Sequence, residues 1–284
     1  MSSKVEIKKI LKEEIGLLFD NLKTKMPSNY KKKRENFLLS PLSESQKAFM
    51  TFVSSFESQL GNAMNIIVRR IAILRYGVQC VPELILPDGT PSNNSQYDGR
   101  KEQVIMSSID IGSAGLKGEI TKFITRKERN KKENKPCSLG AASLGELYDI
   151  AQRYKTNINK NKKTDLLIFA DGKWLIFEIK AGGGLDSTKG KGDIEKLMLE
   201  FVALNKKNAL VFYSTLYSTN TGKKIKGDEA RYINSELIKI EKGFWDLILP
   251  IDISFEEFKN IYNESLKEFK IQLQIEKLIE DVIL

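Results

Sequence analysis

The sequence predicts an α/β fold, a mixed β-sheet flanked by helices, and three observations carry that expectation. Two apolar, β-rich runs at 166–169 and 174–179 flank the pair Asp171-Gly172, the strongest short-range signal of a hairpin closed by a type I′ turn. A helical pattern that begins at Asp193 places Ile194, Leu197, Met198, Phe201, Val202 and Leu204 on one face, and an apolar run at 208–215 then reads as a buried strand. A longer helical pattern at 43–76 precedes both. A helix that crosses over between two strands is the mark of an α/β arrangement.

Composition bounds what such a fold can do. With 284 residues, 41% of them hydrophobic, the chain can bury one large core, and a single domain carrying an insertion is expected. No apolar run approaches the ~20 residues needed to span a bilayer, and the N-terminus is charged, so a cytoplasmic protein without a membrane partner is expected. Histidine is absent, which excludes serine–histidine and cysteine–histidine catalysis and His-ligated zinc. Cys80 and Cys137 match neither a disulfide framework nor a zinc spacing. A metal would have to be held by oxygens, which favours magnesium or manganese. The net charge of +9 and pI near 9.2 fit a polyanionic partner such as nucleic acid.

Taken in order, residues 4–25 show a helical stripe that Pro27 should end. Basic runs follow at 31–34 and again at 126–135; each reads first as a solvated surface. Ser43 and Gln46 form a capping box for the helix at 43–76. Its stripe comprises Phe49, Phe52, Val53, Phe56, Leu60, Met64, Ile67, Ile71 and Leu74, and Gly77 supplies the C-cap. Residues 78–86 suggest a short strand, with Pro82 marking an edge. Residues 87–162 show no regular alternation of strands and helices apart from a helix at 140–151. They read as a large, mostly helical or irregular insertion, a region for DNA recognition or dimer contacts. Residues 181–192 read as a flexible basic connection, with Asp186 a loop residue and Asp193 the cap of the next helix. A strand at 236–240, a short helix at 243–248 and amphipathic helices from Ser254 onward complete the chain. The last stripe, Ile271 to Val282, would face either the core or a second subunit. The expected organisation is an N-terminal helical arm at 1–42, a core made of 43–86 and 163–250, the insertion at 87–162, and C-terminal helices at 251–284.

The Asp-Gly turn makes the hairpin informative. A two-residue loop at Asp171-Gly172 pairs Ala170 with Lys173, Phe169 with Trp174 and Leu167 with Ile176, and sets Asp165 opposite Glu178. Directly opposed residues have Cβ atoms ~5 Å apart, where like charges are destabilising. Folding alone gives no reason for that pairing, whereas a divalent cation between the carboxylates does. Side chains alternate along a strand, so Lys180 joins Asp165 and Glu178 on one face while Ile179 points to the other.

With Thr164-Asp165 on one strand and Glu178-Ile179-Lys180 on the next, followed by a helix and another strand, the chain resembles the PD-(D/E)XK nuclease superfamily, in particular type II restriction endonucleases. Thr164 replaces the proline of that motif and leaves the carboxylate in place. Two further segments resemble the family: Phe56-Glu57, like its first-helix glutamate, and 242–248, like a glycine and Phe-Trp segment with a packing role. The resemblance implies a restriction-endonuclease-like core in which Asp165 and Glu178 bind Mg²⁺, with Mn²⁺ able to substitute and the Ile179 carbonyl as third ligand. Lys180 would be catalytic, and Glu57 would hold a metal-bound water or second ion. It also implies double-stranded DNA as substrate, a homodimer on a palindromic site, and a cognate DNA methyltransferase in the cell. Two alternatives share the motif: a structure-selective or repair endonuclease, and a DNA-binding protein whose nuclease core is inactive.

Overall fold

The structure, a computed structural model, describes residues 2–130, 132–182, 187–218 and 229–283. In chain order its first elements are α1 (Ser3–Arg34), α2 (Glu44–Tyr76), β1 (Leu84–Ile85), β2 (Pro91–Ser92), β3 (Gln103–Ile109) and α3 (Ala114–Lys127). Next come α4 (Leu144–Gln152), β4 (Lys155–Thr164), β5 (Leu166–Ala170), β6 (Lys173–Gly182) and α5 (Ser187–Leu204). The last are β7 (Ala209–Tyr217), α6 (Glu229–Tyr232), β8 (Ile238–Ile240), α7 (Lys242–Ile248), α8 (Phe255–Glu268) and α9 (Ile271–Ile283). The mixed α/β class expected from the sequence is what the chain adopts. It gathers into two compact units, one of Met1–Ile67 with Pro250–Leu284 and one of Val68–Leu249.

The first unit is helical. α1 buries Ile7, Leu11, Ile15, Leu18, Phe19 and Leu22, as its stripe requires, but Pro27 does not end it. Proline inside a helix costs ~3 kcal/mol through a lost hydrogen bond and a steric clash. Here the buried Met26 and Tyr30 carry the apolar stripe across it, and the Tyr30 hydroxyl donates to Glu44 at 2.5 Å, so tertiary packing carries the helix another two turns. The capping box of α2 forms as expected: Gln46 N–H donates to Ser43 Oγ at 3.2 Å and Ser43 N–H to Gln46 Oε1 at 2.9 Å. Within its stripe Phe52, Met64, Ile67 and Ile71 are buried, whereas Phe49, Val53 and Leu74 are exposed. Ser254 caps α8 by accepting from Glu257 N–H at 3.2 Å. Of the stripe on α9, Leu278 is buried and Leu273 exposed.

The second unit contains two four-stranded sheets. In the first, with order β2-β1-β3-β4, β3 runs parallel to β1 and antiparallel to β4. In the second, with order β5-β6-β7-β8, β5 and β6 form an antiparallel hairpin and β6, β7 and β8 run parallel. The helix α5 makes the crossover from β6 to β7 and packs against β3, β6 and β7, burying the six apolar residues expected of it. Parallel strands are covered on both faces. On the parallel strands Ile176, Phe177 and Val211 are without solvent exposure, and on the antiparallel edge strand β5 so are Leu166, Leu167 and Ile168. The expectation for residues 87–162 needs correction: they hold the seven-residue β3 and all but the last two residues of the ten-residue β4, as well as α3 and α4. The expected strand at 78–86 shrinks to the two residues of β1.

The two sheets meet around one residue. The chain leaves β4 at Thr164 and enters β5 at Leu166, so Asp165 is the single step between them. Gln103 on β3 holds the junction: its side chain accepts from Leu167 N–H at 2.7 Å and donates to Leu167 O at 2.8 Å and Pro82 O at 2.7 Å. The buried Arg69 donates to the Asp165 carbonyl at 3.1 Å and to Gly99 O at 2.9 Å.

Candidate active site

Asp171 and Gly172 both have positive φ, 51° and 71°, which is the requirement of a type I′ turn. The ladder behind them runs from Ala170↔Lys173 to Leu166↔Phe177, matching the register expected from a two-residue turn. One step further brings Asp165 beside the Glu178 position. Asp165 Oδ2 accepts from Ile179 N–H at 2.9 Å, fixing the carboxylate against β6. Glu178 is 0% exposed. Lys180, two residues along, sets its Nζ 2.8 Å from Glu178 Oε1. The structure therefore brings Asp165, Glu178 and Lys180 together, and Lys180 neutralises a buried glutamate, not one on a solvated sheet face. The Ile179 side chain is buried away from this group. Glu57 is exposed on α2 and belongs to the helical unit, while the cluster at the hairpin is drawn wholly from Val68–Leu249.

The crossover helix contributes residues that sequence reasoning did not single out. Lys196 Nζ lies 2.6 Å from Glu178 Oε2, 3.5 Å from Asp165 Oδ1 and 3.9 Å from Glu200 Oε1. Glu200 is fully buried; its Oε2 accepts from Thr164 Oγ1 at 3.0 Å, and Lys162 Nζ stands 3.6 Å from Oε1. Asp193 corrects an expectation: α5 begins at Ser187, so Asp193 falls inside the helix instead of capping it, and its Oδ1 accepts from Lys180 Nζ at 2.7 Å. The signal was present in the sequence, since Asp193, Lys196 and Glu200 follow the motif at helical steps of three and four and share one face. The expected connection at 181–192 is helical from Ser187 and ends at Gly182 on the other side; residues 183–186, Asp186 among them, lie outside the described residues.

The electrostatics follow from packing carboxylates and ammoniums out of water. Burial first, and the Asp165 charge second, push the Glu178 carboxyl above the usual carboxylate range, against the pull of Lys180 and Lys196. Glu200 is pushed up to about 8, chiefly by burial and then by Glu178. Burial works against the charges of Lys180 and Lys196, but the carboxylates around each outweigh it and raise both.

The donor set can be tested against a metal ion. Among the described residues no cluster of three or more His, Cys, Asp or Glu side chains is arranged to hold one. Two carboxylates remain, Asp165 and Glu178, and their oxygens are hard donors of the kind Mg²⁺ takes; Mg²⁺ commonly rests on one or two carboxylates and keeps several waters. A positive charge already stands between them, the Lys196 ammonium. The residues present thus fit a hard divalent cation, provided Lys196 Nζ yields its place.

Comparison with known protein families, with curated proteins and with solved structures yields no match. Among the described residues no helix is long and apolar enough to cross a membrane.

Proposed function

We propose that the chain is a Mg²⁺-dependent DNA endonuclease, a type II restriction enzyme that hydrolyses phosphodiester bonds in both strands of a specific sequence. The observation that supports it most directly is the adjacency of Asp165 and buried Glu178 one step beyond a tight hairpin, with Lys180 on the same face. Lys196 offsets the repulsion between the two carboxylates in the folded chain, and their oxygens are the hard donors that a divalent cation would take in its place. The order hairpin, crossover helix, parallel strand supports the reading, because it is the order that the resemblance leads one to expect.

In this reading Asp165 and Glu178 hold Mg²⁺, or Mn²⁺ in its place, with the Ile179 carbonyl as a further ligand. When bound, the ion supplies a more acidic water and charge compensation at the phosphate. Lys180, steadied between Glu178 and Asp193, orients the attacking water and offsets the charge that grows on the phosphate oxygens. The protein acts on duplex DNA as a homodimer, since a two-fold target is matched by a two-fold protein, and a cognate DNA methyltransferase protects the host sequence.

Digesting a sequenced plasmid with Mg²⁺ and mapping the ends tests the reading. Discrete fragments with a common end sequence are expected, and Asp165→Ala or Glu178→Ala should lower cleavage by about 10²- to 10³-fold, the scale on which electrostatic groups of this kind act. Cleavage by either variant at the wild-type rate would overturn the site. A preference for branched or nicked substrates would make the enzyme a structure-selective one, and no cleavage with Mg²⁺ or Mn²⁺ would leave an inactive nuclease core.

A further inference from the structure

The strand β4 has a composition that packing does not explain. Its sequence is KTNINKNKKT, four lysines and three asparagines with no acidic residue, and lysine and asparagine are depleted in strands because they fit a half-buried pleated surface poorly. Seven of its ten residues are exposed. It lies at the edge of its sheet, paired to β3, and is ten residues long. Lysines and a bulge on an edge strand both guard against aggregation, as a very short strand would. Guarding an edge calls for neither three asparagines nor such length.

The strand is also bulged. From Ser107↔Lys160 to Ile109↔Lys155, a two-residue step on β3 is met by a five-residue step on β4, which leaves Thr156 to Asn159 without regular partners in the ladder. Ile158 N–H donates to Thr156 Oγ1 at 3.1 Å and the Ile158 side chain is 68% exposed. Bulges of this kind bend a strand and re-aim its side chains, and they cluster near active sites. Asn161 and Lys163 lie on the sheet face that carries the half-buried Met106 and Val104, away from the buried Thr164. Among the described residues Lys155 and Lys160 have no carboxylate in ion-pair range, whereas Lys163 pairs with Glu102 and Lys162 with Glu200.

The far end of β4 is anchored at the candidate active site. Thr164 is tied to Glu200, and the next residue is Asp165. At ~3.3 Å per residue, Lys160 is about 17 Å from Asp165 along the strand, half a turn of B-DNA. A duplex that lies across Asp165 and Glu178 and runs along β4 would reach Lys160 in about half a turn and Lys155 beyond it.

Resting on the nuclease reading, we propose that β4 is the DNA-reading edge of this protein: Lys155 and Lys160 contact phosphates, and Asn157, Asn159 and Asn161 read base edges in the major groove. The major groove is ~12 Å wide and admits β-strands, and the asparagine amide pairs bidentately with adenine. The occupant is duplex DNA, matched by the strand's unbroken positive charge.

Equilibrium binding to duplex DNA with Ca²⁺ in place of Mg²⁺, measured with the full chain, tests this. The double variant Lys155→Ala/Lys160→Ala should bind about 10-fold or more weakly, with its salt-dependence slope smaller by about 2, while circular dichroism and melting stay at the wild-type values. Asn159→Ala/Asn161→Ala should keep non-specific binding within about 2-fold and lose preference among sequences selected from a random duplex pool. If wild-type protein binds duplex DNA and both variants match it in affinity, slope and sequence preference, β4 is not the reading edge, and the nuclease reading stands untouched. If the variants behave as expected but the wild type cuts nothing with Mg²⁺ or Mn²⁺, β4 stands and the nuclease reading falls. Wild-type protein that binds no duplex DNA, or prefers duplex RNA, overturns the proposal for β4.

Discussion

Lys196 Nζ stands 2.6 Å from Glu178 Oε2 and 3.5 Å from Asp165 Oδ1, so a side chain of the crossover helix supplies positive charge between two carboxylates of the hairpin. The pairing compensates the charge of a 0%-exposed glutamate and of the neighbouring aspartate. It also sets a competition, because ammonium and divalent cation claim the same space. Lys196→Met should tighten Mn²⁺ binding by about 10-fold, equivalent to ~1.4 kcal/mol, as read by calorimetry. It should also lower metal-free stability. Removing one partner of a buried pair costs ~3–5 kcal/mol, but Lys196 is 37% exposed, so about 1–2 kcal/mol is expected. Unchanged Mn²⁺ affinity would show that the ion binds without displacing Lys196.

Gly172 has φ +71°, and a Cβ added there would meet nothing within 4 Å. The cost of Gly172→Ala is therefore purely conformational, about 1 kcal/mol for placing an L residue in the left-handed region. Chemical denaturation should show that loss with an unchanged m-value. A variant as stable as wild type would mean that the turn is not type I′ and that the register setting Asp165 beside Glu178 has another origin.

What could be read in advance and what could not divide along physical lines. The hairpin was legible because a two-residue turn fixes register and register fixes which side chains meet; Asp165, Glu178 and Lys180 come together for that reason. The helices α2, α5 and α8 announced themselves by their stripes, and α2 by its capping box as well, whereas the cap expected for α5 at Asp193 lies inside that helix. β3 and β4 were hidden because strand signals depend on apolar alternation, and β4 is nearly all lysine and asparagine. α1 was cut short because Pro27 is a local signal, while the buried Met26 and Tyr30 that override it are tertiary. Spacing puts Asp193, Lys196 and Glu200 on one helix face, but that this face meets the motif follows only from the packing of α5 on β6.

Gln103 joins the two sheets with three side-chain hydrogen bonds, to Leu167 N–H, Leu167 O and Pro82 O, in a place with no solvent exposure. Gln103→Leu keeps much of the volume and leaves those three backbone groups without their partner. Each buried unsatisfied group costs ~1–3 kcal/mol, so a loss of about 3 kcal/mol or more is expected in urea unfolding. Cleavage should fall as well, since β5 carries the chain from Asp165 into the hairpin. A loss below about 1 kcal/mol would show that the sheets hold their junction without this residue.

Glu200 is fully buried and held by Thr164 Oγ1, with Lys162 and Lys196 near its other oxygen, yet burial dominates and lifts its carboxyl to about 8 from an ordinary value of 4.5. A raised folded-state value means that the folded protein binds the proton more tightly than the unfolded chain. The stability tied to that proton is fully present below pH 4.5, declines as pH rises, and is lost above about pH 8. Glu200→Gln keeps the shape and the acceptor for Thr164 while removing the titration. Its unfolding free energy should therefore fall less than that of wild type between pH 5 and pH 8, with the two curves separating most at the alkaline end, as followed by denaturant titrations across that range. Parallel curves would mean that Glu200 is ionised throughout, paired with Lys162 and Lys196.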